Sequence, residues 1–229
     1  MRIEVSSLLE GAREAEGTVL IIDVFRAFTT ASVAFSRGAK KIILVAEVDD
    51  ALDLLARGVG DLCMGEVGGV RPEGFHFGNS PFEMSTADVD GKTLIQSTRA
   101  GTVGVSTATR ADRIYATSLV IADSTAEAVR RCSPDLVTIV AMGGEGTFRT
   151  DEDEQCALYL RNLLEGRRPD HDAVRSLVMV GEEAQKYGDP ERPHFHRKDA
   201  EMAVEIDRYS FAIRVDREDG LLVARPETV

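Results

Sequence analysis

Asp23 directly follows the apolar run 18–22, and Glu66 follows the shorter run 62–64. A third acidic source is Asp151-Glu152-Asp153-Glu154. Carboxylates brought from separate loops onto one edge form the kind of oxygen-donor set that suits Mg2+, which keeps waters for a substrate phosphate. Each acid also has a plainer reading. Asp23 can cap a helix, Glu66 can be a solvated loop acid, and the acidic run can offset a helix dipole.

Arg26 and Arg99 lie close after the runs 18–22 and 93–97. Their planar forks match the paired oxygens of phosphate, sulfonate or carboxylate. Thr29, Thr30, Ser97, Thr98 and Thr102 add hydroxyls near helix starts, where capping is the commoner role. Gly101 and the Gly143-Gly144 pair allow backbone amides to approach an anion. Asn79 and Ser80 lie in Gly74-Phe75-His76-Phe77-Gly78-Asn79-Ser80-Pro81, where Asn79 either orders the turn or touches substrate. His194 and His196 fall in an irregular segment after Pro190 and Pro193 and read as surface loop.

Several mechanisms lack their residues. Cysteine phosphatases need Cys-x5-Arg, but Cys63, Cys132 and Cys156 are followed at that spacing by Gly69, Thr138 and Asn162. An aspartyl-phosphate route needs Asp-x-Asp at the end of an apolar strand. Asp88-Val89-Asp90 reads instead as a turn, and Asp151-Glu152-Asp153 as a helix start. Gly91-Lys92-Thr93 has Thr86 where a phosphate loop has its first glycine, and there is no Gly-x-Gly-x-x-Gly.

The elements that must position these groups alternate. The nearly continuous apolar runs at 18–22 and 41–45 predict buried strands, and the same alternation continues with strands near 62–64, 93–97, 113–116 and 136–142. Helical patterns at 27–35, 49–57, 102–109, 122–131 and 152–165 separate them. This predicts an α/β fold of three α/β/α layers with a mainly parallel sheet, in which ligands gather beyond the carboxyl ends of the strands. The last third predicts helices over 171–187 and 198–206 and a hairpin of strands 211–215 and 220–224 around Glu218-Asp219-Gly220. Residues 1–229 read as a single domain that leaves room for subdomains 1–165 and 166–229. The long stretch 65–92 is the best candidate for a functional loop.

With 229 residues and a net charge of −12, the chain can bury a sizeable core and repels polyanions, so nucleic acid is not expected as a partner. No apolar run reaches the ~18–20 residues of a spanning helix, so no membrane partner is expected. The start Met1-Arg2-Ile3-Glu4-Val5 lacks the basic-then-apolar order of a secretion signal, which predicts a cytoplasmic location. Three widely spaced cysteines read as reduced thiols. A homo-oligomer remains open.

Taken in order, several blocks resemble the 2-phosphosulfolactate phosphatase family, known as ComB. They are Ile22-Asp23-Val24-Phe25-Arg26-Ala27-Phe28-Thr29-Thr30, Gly65-Glu66, the 74–81 block, Ser97-Thr98-Arg99-Ala100-Gly101-Thr102, Glu152-Asp153 with Cys156-Ala157, and the terminal Asp207 to Pro226 including Asp219-Gly220-Leu221-Leu222-Val223. The resemblance implies Mg2+-dependent hydrolysis of 2-phospho-3-sulfolactate to 3-sulfolactate and phosphate, a step toward coenzyme M. The alternatives are a phosphatase of the same fold for another small phosphorylated hydroxy acid, and an anion-binding protein without hydrolysis. On this reading Mg2+ sits among Asp23, Glu66 and Asp153, with Glu152 a second choice as ligand or base. Arg26, Arg99 and amides near Gly101 and Gly143-Gly144 neutralise a small, multiply anionic phosphoester. Thr29, Thr30, Asn79, Ser80, Thr98 and Thr102 complete the expected substrate contacts.

Overall fold

The apolar runs form strands whose alternate residues enter different cores. In the computed structural model, which describes residues 1–229, Val19 and Ile21 of one strand join one core while Leu20 and Ile22 join another. Burial on both faces explains why this run is nearly continuously apolar.

The chain opens with β1 (Arg2–Ser7), α1 (Leu8–Glu14), β2 (Gly17–Ile22), α2 (Ala27–Ser36), β3 (Lys41–Val45) and α3 (Val48–Ala56). It continues with β4 (Leu62–Gly65), α4 (Pro81–Met84), β5 (Thr93–Ser97), α5 (Gly101–Thr107), β6 (Ala111–Thr117) and α6 (Ala122–Cys132). The remainder is β7 (Leu136–Ala141), α7 (Asp151–Leu164), α8 (His171–Met179), α9 (Arg197–Ala203), β8 (Phe211–Glu218) and β9 (Leu221–Thr228). All nine strands share one sheet in the order β1-β7-β2-β6-β8-β9-β3-β5-β4.

Most neighbours are parallel, but the β8–β9 hairpin pairs antiparallel with β6 on one side and β3 on the other. The hairpin over Phe211–Thr228 therefore supplies the middle of the sheet. The β3, β5 and β4 block runs locally opposite to the β1, β7, β2 and β6 block. Twist reconciles this arrangement with a shared site. Five strand steps separate β2 from β5, and at about 20–25° each they turn the sheet through roughly 100–125°.

The coiled sheet wraps one face around α2 and α5. There the largest core gathers Val19, Ile21, Phe28, Ile42, Leu94, Val105 and Ile213. On the other face, α6 and α7 cover Leu20, Tyr115 and Ile139 with Val129 and Leu160. Helix α3 covers Ile43, Cys63 and Ile95. These are the three expected layers.

Several elements depart from expectation. The β1–α1 pair was not predicted, because β1 is an edge strand in which no residue is buried. Helix α8 stops at Met179 instead of reaching 187: Gly181 follows, packs against Asp151, and only a short 3-10 turn forms over Ala184–Lys186. The hairpin strands extend well beyond the expected 211–215 and 220–224.

Candidate active site

The carboxyl ends of β2, β4, β5 and β7 open into a cleft of about 350 Å3. Asp23, Arg26, Glu66, Asn79, Arg99, Gly143 and Gly144 line it, joined by Glu145, Glu183, Lys186, Arg192 and His194. Its charged lining comprises Asp23, Glu66, Glu145 and Glu183 against Arg26, Arg99, Lys186 and Arg192. This local balance contrasts with a chain of net charge −12. An anion that the whole surface repels is therefore tolerated here.

Asp23 lies between the starts of two helices. Its Oδ1 accepts from the Ala27 amide of α2 and its Oδ2 from the Gly101 amide of α5, both at 2.8 Å. The capping reading and the cleft reading of this residue thus both hold. Burial raises its carboxyl from 3.8 to about 6, with the charge of Glu66 adding to the rise and the Ala27 and Gly101 amides opposing it. Glu66 is built alike: Oε2 takes the Gly69 amide at 2.7 Å and Oε1 the Arg99 amide at 2.8 Å.

Asp153 does not line the cleft. It is buried at the start of α7, where Oδ1 accepts from Val24 and Oδ2 from Gly143, both at 2.8 Å. It joins the loops after β2 and β7 from behind. Burial and the charges of Glu152 and Asp23 hold its pKa well above the ordinary carboxylate value. No group of three or more His, Cys, Asp or Glu has a geometry that could hold a metal ion. Asp23, Glu66 and Asp153 are therefore not a ready-made ligand set, because each carboxylate is oriented by two backbone amides. Glu152 also lies off the cleft. It is 4% exposed, its Oε2 has no hydrogen-bond partner, and burial pushes its carboxyl up to about 8.

The expected substrate contacts divide. Arg99 is half-exposed and only loosely paired, with Nη1 3.6 Å from Glu47. Arg26 is 3% exposed and heavily engaged, its Nη1 donating to Asp199 Oδ2 at 2.8 Å and to the His194 carbonyl at 2.7 Å. Asn79 borders the cleft, and its buried Oδ1 has no partner. Ser80 instead caps α4 and donates to Asp199 Oδ1 at 2.6 Å.

The threonines serve the framework. Thr29 Oγ1 donates to the Val24 carbonyl, and Thr98 and Thr102 bond one another at the turn into α5. Thr30 is buried away from the cleft with an unpartnered hydroxyl. The amides of Gly101 and Gly143 hold Asp23 and Asp153, and that of Gly144 bonds the Phe148 carbonyl, so none of these three points unpaired at a ligand.

The far wall was not foreseen. Glu183, Lys186, Arg192, His194 and Phe195 come from a segment expected to be helix and surface loop. Lys186 Nζ contacts both Glu183 oxygens, at 2.5 and 2.6 Å, whereas Arg192 is half-exposed and lies 3.7 Å from Asp189. His196 is not a cleft residue. Its Nδ1 accepts from the Lys198 amide, and its ring stacks on Phe82. The cue available in sequence was the density of Arg, Lys and His around Pro190 and Pro193, without a pattern to aim it.

The 2-phosphosulpholactate phosphatase family matches residues 4–201. A "probable 2-phosphosulfolactate phosphatase" of Bacillus subtilis (strain 168) is 32% identical over 204 residues, covering 88% of this chain and 87% of that protein. Proteins of the same description from Carboxydothermus hydrogenoformans and Caldicellulosiruptor saccharolyticus are 35% identical over 165 residues and 36% over 155 residues. These cover 72% and 66% of this chain, and 68% and 64% of those proteins. The matched span contains every wall of the cleft, from Asp23 to Phe195, and on this similarity the chain belongs to the 2-phosphosulpholactate phosphatase family.

Proposed function

We propose that the cleft hydrolyses the phosphate ester of 2-phospho-3-sulfolactate, giving 3-sulfolactate and inorganic phosphate, with Mg2+ as cofactor. The observation that carries the reading is the mixed lining: Asp23 and Glu66 share a wall with Arg99 and face the cations of the 183–195 segment. A compact substrate with phosphate, carboxylate and sulfonate needs several cations within one small volume.

Two features support a divalent cation. Asp23 and Glu66 present oxygen donors to the cleft, and each oxygen engaged by one amide keeps a second lone pair. Burial raises the Asp23 carboxyl and the charge of Glu66 adds to the rise, and a nearby cation relieves that repulsion. Mg2+ commonly uses only one or two carboxylates together with substrate phosphate and water, so two acids suffice. When bound, it supplies charge neutralisation and polarises a phosphoryl oxygen.

The chain's own residues do the positioning. The amides at the starts of α2 and α5 fix Asp23, and those of Gly69 and Arg99 fix Glu66, so both carboxylates are preorganised by backbone. Arg99 and Arg192 are only loosely paired and can turn their forks to substrate oxygens. Phosphoryl transfer asks chiefly for such positioning and charge stabilisation. No cysteine borders the cleft, which agrees with water rather than a thiolate as nucleophile.

The test is phosphate release from a panel of phosphoesters with Mg2+ and with chelator. Preferential, chelator-sensitive turnover of 2-phospho-3-sulfolactate is expected. Preference for another phosphorylated hydroxy acid would reassign the substrate, and ligand binding without any phosphate release would favour a non-catalytic anion-binding protein.

A further inference from the structure

Beyond the acids that line the cleft, one wholly buried carboxylate has a full set of partners. Asp199, on α9, is 0% exposed and accepts from Arg26 Nη1 at 2.8 Å, Ser80 Oγ at 2.6 Å and the Phe82 amide at 3.0 Å. It gathers the turn after β2, the start of α4 and the first turn of α9 at one point. Desolvating both charges of a buried pair offsets much of their attraction, so such a pair is weak evidence of stabilisation. Its value is sought in what it orients.

A guanidinium has five N–H groups. In Arg26, Nη1 donates to Asp199 and to the His194 carbonyl, and Nη2 donates to the Gly69 carbonyl at 3.3 Å. The rings of Phe195 and Tyr187 lie 4.9 and 5.7 Å from Cζ. Charge, carbonyls and aromatic surfaces thus hold the head in place. The N–H on Nε and the second on Nη2 remain uncommitted, and Arg26 borders the cleft together with Asp23 and Asn79.

We propose that Asp199 is a positioning residue: it holds the Arg26 guanidinium so that its two uncommitted N–H groups receive oxygens of the anionic substrate. The inference rests on the phosphoester reading of the cleft. It adds a residue on the last helix, which touches no substrate, to the machinery of anion binding. Asp199→Asn separates the roles, since the amide oxygen can still accept from Ser80 and Phe82 while the charge facing Arg26 is removed.

The experiment uses the full chain, with Asp199→Asn and Arg26→Lys made singly and together. It reads thermal stability, kcat/KM for the phosphoester and calorimetric affinity for inorganic phosphate with Mg2+. Asp199→Asn is expected to lower kcat/KM about 100-fold, the scale of a small misplacement of a positioning group, and to weaken phosphate about tenfold, near 1.4 kcal/mol. The double variant is expected to be no worse than the worse single one, because both changes act on one interaction.

Multiplying losses in the double variant, or lowered stability with phosphate affinity and kcat/KM unchanged, would overturn the proposal. Should Asp199→Asn fail to fold, Arg26→Lys decides, because it keeps a cation beside Asp199 but removes the fork. Weakened phosphate in that folded variant supports the proposal, and unchanged affinity refutes it. A wild-type chain that releases no phosphate from any ester refutes the phosphatase reading alone. One that also fails to bind inorganic phosphate overturns this inference as well.

Discussion

Gly101→Ala sets two known effects of opposite sign against each other. Gly101 opens α5, and an added Cβ would lie 2.8 Å from Asp23 Oδ2 and 2.9 Å from Ala27 Cβ. The helix start must move away, which breaks the 2.8 Å bond from the Gly101 amide to the carboxylate. A hydrogen bond to a charged group contributes about 1.5–3 kcal/mol, and forcing a methyl into a packed site costs about 1–3 kcal/mol. Against this, replacing glycine by alanine in a helix stabilises by roughly 1 kcal/mol. The balance is destabilisation of about 1.5–5 kcal/mol, or several degrees of Tm at roughly 2–4 °C per kcal/mol for a chain of this size. Gly104→Ala is the control, since its Cβ would meet the movable Met142 thioether rather than a fixed carboxylate. Urea titration of both variants, followed by circular dichroism, is the assay. A Gly101→Ala chain as stable as wild type, or stabilised by the propensity gain, would refute the claim that Asp23 and the start of α5 form a rigid unit.

Two other expectations concern titratable groups. Burial raises the Glu152 carboxyl from 4.5 to about 8, so the folded chain holds this proton more tightly than the unfolded one. Its stabilisation is full below about pH 4.5 and is lost as pH rises through about 8, amounting to a few kcal/mol over that window. Glu152→Gln should flatten this part of the profile in urea titrations made with chelator, and an unchanged slope would contradict the assignment. Burial also pushes the Cys63 thiol up to about 11 and Cys156 well above its ordinary value. In the native chain the half-buried Cys132 should therefore react first with a thiol reagent, with the other two modified only on unfolding; early labelling of Cys63 would count against the packing under α3.

Much of the near side of the cleft was legible because buried strands advertise their ends. The run at 18–22 is apolar after Thr18 and stops at Asp23, and the largely apolar cores of β4, β5 and β7 likewise give way to polar residues or glycines, so Asp23, Glu66, Arg99 and Gly143-Gly144 could be assigned to one sheet edge. β1 could not, since an edge strand carrying Arg2, Glu4, Ser6 and Ser7 has no continuous apolar signature. The central place of the β8–β9 hairpin depends on pairings with β3 and β6 formed by residues far apart in the chain.

The direction of a carboxylate was equally hidden. Composition cannot tell Asp153, which secures two loops, from Glu66, which faces the cleft. Asp199 stands in Arg197-Lys198-Asp199 with Glu201 beyond, a pattern of a solvated helix face, yet its side chain is the buried one. Segment 183–195 has little periodicity, and only tertiary contacts carry Lys186, Arg192 and His194 to the far wall.

The most direct trial of the catalytic claim is turnover of 2-phospho-3-sulfolactate with Mg2+ by wild type and Asp23→Asn, with circular dichroism to certify the fold. Removing the charge while keeping the shape should reduce kcat/KM by about a thousandfold, roughly 4 kcal/mol of transition-state stabilisation. A folded Asp23→Asn chain that hydrolyses the ester at the wild-type rate would contradict the account.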